Sequence, residues 1–154
     1  MRHPGVRFPP PVLFVAGLVA GWALDRYGRA LPLPGVGTAA ARGVGLVLVL
    51  LGLALVGWGI ATFRRARTAI IPHYPASQVV DRGPYRFTRN PMYTGFTIVY
   101  LGVTALLRSA WPLLLLPLVL VALVRLVIAR EERYLRAAFG ADYDAYCARV
   151  RRWL

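Results

Sequence analysis

Long apolar runs separated by short polar segments dominate the hydrophobic pattern of this chain. Four such runs occupy approximately residues 11–24, 44–63, 92–107 and 111–129, and the first can extend to Tyr27. Because a bilayer offers no partners for backbone polar groups, we expect these runs to be helical. The pattern predicts an all-α, polytopic membrane protein with about four transmembrane helices and a C-terminal cytoplasmic helical segment.

The four runs differ in length. About 20 helical residues cross the hydrocarbon core of a bilayer, and the runs 44–63 and 111–129 reach that length. The other two runs are shorter, so they would tilt little or draw on flanking aromatic residues. The 154 residues are interpreted as a single membrane-embedded domain.

The charged residues bear on the class of protein and on its orientation in the membrane. The chain has 19 basic residues, all arginine, and 6 acidic residues, which gives a net charge of +13. Such a balance also occurs in nucleic-acid-binding proteins, but a soluble binder has no need of near-spanning apolar runs. The mean hydropathy of +0.55 likewise favours a membrane protein, so we expect membrane lipids and no nucleic acid as partners.

The arginines are distributed unevenly between the two sides of the predicted bundle. Six arginines lie in loop 64–91, six follow residue 129, and Arg2 and Arg7 lie in the N-terminal arm. The opposite side holds Arg26, Arg29, Arg42 and Arg108. The positive-inside rule therefore predicts that both termini and loop 64–91 are cytoplasmic, in the inner (plasma) membrane of a prokaryote. The basic, apolar N-terminus is interpreted as a retained first helix, because it has no clean signal cleavage site.

The short turn 107–112 predicts an antiparallel hairpin of the third and fourth helices, which brings loop 64–91 and the C-terminal tail to one membrane face. In the loop, "DRGPYRFTRNPMYTG" (81–95) contains a Gly83-Pro84 turn, and Pro91 suits the first turn of a helix. On composition alone, interfacial anchoring by the tyrosines and arginines is favoured over a functional role for this loop.

In the tail, residues at three- and four-residue spacing form one helical stripe. The stripe comprises Glu132, Leu135, Phe139, Tyr143 and Tyr146. Gly140 is predicted to interrupt the helix, with Asp142 starting a short last helix. Glu131 points about 100° away from Glu132. Charge alone leaves two alternatives open for these glutamates: exposed ion pairs with Arg130, Arg133 or Arg136, or a functional site at the membrane boundary.

Other candidates carry weaker signals. His3 and His73 are far apart, and no cluster of metal-binding residue types occurs, so we expect no metal. Cys147 is the single cysteine and is interpreted as a free structural thiol. Gly43 and Gly45 indicate close helix packing rather than nucleotide binding. Arg125, inside the fourth run, would either snorkel to the cytoplasmic edge or face a cavity.

Two motifs together resemble a known family. The first is Gly83-Pro84-Tyr85 followed by "RNPMYTG" (89–95), and the second is "EERYLRAAFGADYDAY" (131–146). The chain resembles the integral-membrane methyltransferases of the isoprenylcysteine carboxyl methyltransferase and phospholipid N-methyltransferase group. The resemblance covers roughly residues 64–154, with additional N-terminal helices in residues 11–63.

The resemblance implies that S-adenosylmethionine binds between the loop and the C-terminal helix, just inside the cytoplasmic face. The implied cofactor contacts are Val79, Val80, Tyr85, Asn90, Pro91, Met92, Tyr93, Glu131 and Glu132, with Val79 and Val80 contributing main chain. A carboxylate suits the ammonium group or the ribose hydroxyls of that cofactor, and loop arginines suit its carboxylate. No catalytic residue is assigned; the candidates are Arg89, Asn90 and Arg125.

Two positions depart from the family pattern. Asn90 stands where histidine is frequent, and asparagine cannot act as a base near neutral pH. Carboxyl-methylating members carry a substrate-facing arginine four residues before the first glutamate, where this chain has Val127. A thiol, an amine or a lipid head group is therefore at least as suitable a methyl acceptor as a prenylcysteine carboxylate.

The predicted activity is methyl transfer from S-adenosylmethionine to a lipophilic or small membrane-accessible nucleophile (S, N or O) at the cytoplasmic face. One alternative is a non-catalytic scaffold or accessory protein that retains the fold. Another is a reductase that uses a nicotinamide cofactor on a related membrane fold.

Overall fold

The computed structural model describes residues 9–33, 37–66 and 79–153, and its regular structure is helical. The helices are α1 (Pro11–Tyr27), α2 (Thr38–Arg65), α3 (Pro91–Leu107), α4 (Ala110–Leu123), α5 (Ala129–Phe139) and α6 (Ala141–Arg149). A 3-10 helix (Gly83–Arg86) precedes α3, and a π-helical turn (Val124–Ile128) joins α4 to α5. The described residues form no β-strand, so the all-α prediction is confirmed.

Two helical runs are long and apolar enough to cross a membrane. They are α2, with 28 residues, and the continuous run Ala110–Phe139, with 30 residues. Helices α1 and α3 have 17 residues each. At about 1.5 Å per residue, 17 residues span roughly 25 Å, which is less than the ~30 Å hydrocarbon core. The prediction of about four transmembrane helices therefore overstates the number that the described residues support.

Glycines set the packing of α2 against α3, the most extensive helix pair of the structure. A Cβ atom on Gly52 would lie 2.6 Å from the carbonyl oxygen of Gly95, and one on Gly102 would lie 2.7 Å from that of Gly45. The two backbones can approach this closely only because no side chain separates them. Close packing at Gly45 is thus confirmed, whereas Gly43 faces open space.

The second helix pair is α1 and α4, and its core is apolar. The central buried cluster contains Phe14, Tyr93, Tyr100, Leu116, Val119, Leu123, Val127 and Ile128. The Tyr100 hydroxyl donates a 2.7 Å hydrogen bond to the Pro112 carbonyl and so links α3 to α4. The predicted short connection between these helices is present, and Arg108 adopts a left-handed conformation there, with φ of 54°.

The connections gather at two opposite ends of the bundle. At one end, residues after α1 meet the α3–α4 turn, where Ala110 N–H donates to Leu31 O at 2.7 Å and Leu33 N–H donates to Arg108 O at 3.0 Å. At the other end, residues 79–91 contact residues 129–153. We call this end of the bundle the arginine-rich end. The prediction that loop and tail share one end is confirmed, and its cytoplasmic placement stays a prediction.

Candidate functional site

The 3-10 helix places Tyr85 at the arginine-rich end. Gly83 begins it with φ of +57°, a left-handed conformation, and a Cβ atom there would lie 2.6 Å from Thr62 Oγ1 of α2. Glycine is therefore required both by backbone conformation and by space. Pro84 and Tyr85 are buried, and the Tyr85 ring lies 5.0 Å from that of Phe63. The turn predicted at Gly83-Pro84 is confirmed.

The start of α3 places Tyr93 opposite the glutamate pair. Pro91 is the first helical residue, as predicted, and Thr94 Oγ1 donates to the Asn90 carbonyl at 3.0 Å. Tyr93 follows Pro91 by two residues, and its side chain is buried. Its hydroxyl donates a 2.7 Å hydrogen bond to Glu131 Oε1. This bond connects α3 directly to α5.

The two glutamates have different partners. Glu131 accepts from Tyr93, whereas Glu132 binds Arg152 through two hydrogen bonds of 2.9 Å and 2.6 Å. Arg89 lies 3.3 Å from Glu132 as well, and the Glu132 side chain is 14% exposed. Glu132 thus forms a largely buried ion-pair cluster with arginines distant in sequence, while Glu131 belongs to a carboxylate–tyrosine pair.

Two buried polar atoms of this region have no hydrogen-bond partner among the described residues. They are the Tyr85 hydroxyl and Nε of Arg89. Burial raises the pKa of Tyr85, and the nearby Tyr146 and Glu131 raise this pKa further, so the hydroxyl stays neutral. Because nearly all buried polar groups are satisfied in folded proteins, two such groups at one end suggest that a ligand supplies the missing partners.

Helices α5 and α6 lie beside the 3-10 helix that carries Tyr85. Gly140 separates them with φ of +49°, as the sequence predicts, and Asp142 lies in the first turn of α6. Four residues of the predicted stripe, Leu135, Phe139, Tyr143 and Tyr146, lie in one cluster together with Val150. The fifth, Glu132, is ion-paired with Arg152 instead. The Tyr146 hydroxyl donates to the Tyr85 carbonyl at 2.8 Å and so fixes the 3-10 helix to α6.

The π-helical turn Val124–Ile128 lies just before the glutamates and is not signalled by the sequence pattern. Such turns are rare. Those that do occur are often at functional sites, because they change the register of a helix. Val127 and Ile128 are both buried, at 1% and 0% exposure, in the cluster that also contains Tyr93. Val127 therefore places an apolar side chain in the core close to the candidate site.

The remaining predicted residues lie in varied surroundings. Val79 packs against the tyrosine cluster and lines a cleft of about 430 Å³ together with Phe139 and Tyr146. The Met92 side chain lies beside Gly59 of α2, and Val80 is partly exposed. The Arg125 side chain is exposed and belongs to neither buried cluster.

Metal ligation finds no support in the part of the chain that the structure describes. No group of three or more histidine, cysteine or acidic residues is positioned there to hold a metal ion. His3 and His73 lie outside the described residues. Cys147 is free, as expected, and its sulfur accepts a 2.8 Å hydrogen bond from Arg89 Nη1.

The fold and site describe an all-α, membrane-type bundle with a carboxylate–tyrosine pair at its arginine-rich end. The family model for phospholipid methyltransferases matches residues 40–142, more than half of the chain. The chain belongs to this phospholipid methyltransferase family. Tyr85, Tyr93, Glu131 and Glu132 lie inside the matched residues, and Arg152 lies beyond them.

The curated relatives that match include plant and fission-yeast proteins. A probable protein-S-isoprenylcysteine O-methyltransferase of Oryza sativa subsp. indica is 33% identical over 109 residues, which cover 70% of this chain and 57% of that protein. Protein-S-isoprenylcysteine O-methyltransferase B of Arabidopsis thaliana is 31% identical over 69% of this chain and 55% of its own length. The Schizosaccharomyces pombe protein-S-isoprenylcysteine O-methyltransferase is 39% identical over 47% of this chain and 30% of its own length.

The chain spans about half the length of the two plant relatives. No solved structure matches it.

Proposed function

We propose that this protein transfers a methyl group from S-adenosylmethionine to a lipophilic or small membrane-accessible nucleophile at the cytoplasmic face of a membrane. Family membership supports the reaction class. The observation that carries the proposal is the Glu131–Tyr93 pair. At the same end, the Tyr85 hydroxyl and Arg89 Nε are buried and have no hydrogen-bond partner in the described part of the chain. Relatives whose names specify isoprenylcysteine O-methyltransferases support a substrate associated with the membrane.

The residues at this end suit the chemistry of the proposed cofactor. S-adenosylmethionine carries a sulfonium, an ammonium and a carboxylate group. Glu131 offers a carboxylate to the ammonium group or the ribose hydroxyls, and the unpartnered Arg89 Nε offers a donor to the carboxylate. The neutral Tyr85 hydroxyl offers a further donor, and the Tyr85 and Tyr93 rings offer π faces to a cation. Each proposed contact thus matches a group of opposite charge or complementary hydrogen bonding.

The protein contributes mainly alignment and exclusion of water. When bound, S-adenosylmethionine supplies a methyl group that its sulfonium already activates. The Tyr93 hydroxyl holds the Glu131 carboxylate in one orientation, and pre-orientation of this kind lowers the entropic barrier to reaction. The buried Tyr85 and Tyr93 side chains keep water from the same region. A nucleophile that arrives as an anion, such as a thiolate, needs no general base.

The methyl acceptor is proposed to be a thiol, an amine or a lipid head group rather than a prenylcysteine carboxylate. Val127 occupies the position where carboxyl-methylating family members carry a substrate-facing arginine, and it is buried among apolar side chains. An apolar residue there offers no charge-assisted hydrogen bond to a carboxylate. A detergent-phase assay with labelled cofactor and separate lipid, thiol and prenylcysteine acceptors tests this. Methylation confined to the prenylcysteine carboxylate would contradict the proposal.

Cofactor binding is tested by titrating S-adenosylmethionine into the purified protein in detergent. We expect saturable binding, weakened at least about tenfold by Glu131→Gln, because a neutral amide loses the charge-assisted interaction. Tyr93→Phe should weaken binding less, because it removes only the bond that orients Glu131. Tyr27→Phe, at a residue 77% exposed at the opposite end, is the matched control and should bind normally. A wild-type protein that binds no S-adenosylmethionine would favour the scaffold alternative, and preferential binding of NADPH would favour the reductase.

A further inference from the structure

The last described residues, 150–153, have no regular secondary structure and join two parts of the candidate site. We call them the closing segment. Its Arg151 carbonyl accepts a 2.9 Å hydrogen bond from Arg89 N–H. The next carbonyl, that of Arg152, accepts from Thr88 Oγ1 at 3.1 Å and from Asn90 Nδ2 at 3.0 Å. Three hydrogen bonds therefore hold the closing segment to the loop that starts α3.

The side chain of Arg152 holds the same segment to α5. Its Nε and Nη2 atoms donate to the two carboxylate oxygens of Glu132, at 2.9 Å and 2.6 Å. Paired, charge-assisted bonds of this geometry are among the strongest and most directional in proteins. Residue 152 thus contacts the loop through its carbonyl and α5 through its guanidinium.

These two attachments of Arg152 link the same two elements as the Tyr93–Glu131 hydrogen bond. Asn90 lies three residues before Tyr93, and Glu132 follows Glu131 directly. Both connections therefore join the start of α3 to the start of α5. Trp153 adds an apolar contact, since it packs against the core cluster that contains Tyr93. We therefore expect movement of the closing segment to change the distance between the Tyr93 hydroxyl and the Glu131 carboxylate.

We propose that Asn90 and Arg152 are positioning residues that hold α3 and α5 at the spacing required by the Glu131–Tyr93 pair, an inference that rests on the proposed function. Neither side chain needs to touch the cofactor in this role. Asn90 acts by donating to the Arg152 carbonyl, and Arg152 acts by holding Glu132.

The proposal gives Asn90 a specific chemical requirement. Its side-chain amide must donate a hydrogen bond to a carbonyl oxygen, and a neutral imidazole N–H can do the same. Histidine, frequent at this position in the family pattern, therefore meets the requirement. An ionised aspartate is an acceptor alone and would repel the Arg152 carbonyl.

The test uses the full chain in detergent, with Asn90→His, Asn90→Asp, Arg152→Lys and Arg152→Gln variants. Two quantities are measured: amide hydrogen exchange of residues 87–90 and 150–153 without cofactor, and the kinetics of methyl transfer as S-adenosylmethionine is varied. We expect Asn90→Asp and Arg152→Gln to speed exchange and raise the cofactor KM at least about tenfold, with kcat changed much less. Asn90→His keeps a donor for the Arg152 carbonyl, so its hydrogen exchange should stay as slow as that of the wild-type protein. Arg152→Lys should be intermediate, because lysine keeps the charge but not the paired geometry.

Arg136→Gln is the matched control. It removes an arginine–carboxylate pair, with Asp144, in which both side chains are 55% exposed, and it should change neither quantity. An Arg152→Gln protein with faster exchange but an unchanged cofactor KM would overturn the positioning role. Asn90→His behaving like Asn90→Asp would overturn the donor requirement. A wild-type protein without S-adenosylmethionine binding would instead refute the proposed function, so the two failures are distinguishable.

Discussion

Glu131 and Glu132 are neighbours in the chain, yet their carboxylates bind different partners. Glu131 accepts from a tyrosine hydroxyl, whereas Glu132 is held by Arg152 and Arg89. An ion-paired carboxylate is already neutralised, so Glu131 is the better candidate for contact with a cationic ligand. The candidate site is therefore distinguished by polar atoms that have no hydrogen-bond partner among the described residues.

The unpartnered Tyr85 hydroxyl leads to a prediction in which stability and binding change in opposite directions. Tyr85→Phe removes a buried hydroxyl that has no hydrogen-bond partner among the described residues, so we expect the unfolding free energy to rise by about 1 kcal/mol. S-adenosylmethionine affinity should fall several-fold, since the donor is lost. Thermal unfolding and titration in detergent measure the two quantities.

Tyr146→Phe is the control for that experiment. Its hydroxyl donates to the Tyr85 carbonyl, so this variant should lose about 1 kcal/mol of stability. If Tyr85→Phe destabilised the protein equally and bound cofactor normally, the Tyr85 hydroxyl would have a structural role and no ligand role.

Residue identities predicted part of the site and could not predict the rest. The motifs predict Tyr85, Tyr93 and Glu131 as site residues, and the structure places the Tyr93 hydroxyl 2.7 Å from Glu131 Oε1. The motifs do not indicate Arg152, because its role depends on how the closing segment returns to the loop. Only the three-dimensional path of residues 150–153 brings its carbonyl to Asn90.

The apolar runs predict where α1, α3 and α4 begin, whereas α2 begins at Thr38, before its predicted start at residue 44. The predicted hairpin of α3 and α4 is present, but the more extensive helix pairs are α2 with α3 and α1 with α4. Pro91 and Gly140 are local signals whose effect depends on backbone chemistry, and both predictions are confirmed. The π-helical turn Val124–Ile128 has no such signal, because tertiary packing decides where a helix gains an extra residue. The pairing of α2 with α3 depends on glycines 45, 52, 95 and 102 meeting face to face.

The glycine contacts predict a sharp positional effect on stability. In Gly52→Ala the new Cβ atom would lie 2.6 Å from the Gly95 carbonyl, so α2 and α3 must separate. We expect a loss of about 1–3 kcal/mol of unfolding free energy, typical of overpacking. Thermal unfolding in detergent measures the change.

Gly57→Ala, in the same helix, is the matched control. A Cβ atom at Gly57 meets nothing within 4 Å, so this variant should be neutral or stabilise the protein by up to about 1 kcal/mol. Equal destabilisation by both substitutions would show that helix propensity, not the α2–α3 contact, dominates.

For the whole molecule, the distribution of arginines predicts which end faces the cytoplasm. Residues 79–91 and 129–153 form one end, and the Asp25–Ser109 hydrogen bond of 3.0 Å belongs to the other. Apolar run length was the less reliable guide, because α1 and α3 are shorter than a typical bilayer core. The charge pattern predicts orientation, while the number of helices that cross the membrane depends on packing and tilt.

Orientation is tested by labelling single cysteines from outside intact cells with a membrane-impermeant maleimide, in a Cys147→Ser background. Tyr27→Cys, at the end opposite the arginines, should be labelled. Ala137→Cys, exposed at the arginine-rich end, should be labelled only after the membrane is permeabilised. The reverse pattern would place the arginine-rich end outside and contradict the positive-inside assignment.

In the proposed function, the Glu131–Tyr93 end performs S-adenosylmethionine-dependent methyl transfer to a membrane-associated acceptor. The most direct measurement is transfer of a labelled methyl group from S-adenosylmethionine into the organic-phase material of membranes containing the protein. Wild-type protein should transfer label, and folded Glu131→Gln protein should lose at least about 90% of that activity, which corresponds to the tenfold loss expected for one charge-assisted contact. Label transfer that is absent from wild type across all acceptor classes, or that is unchanged in Glu131→Gln, would contradict the account.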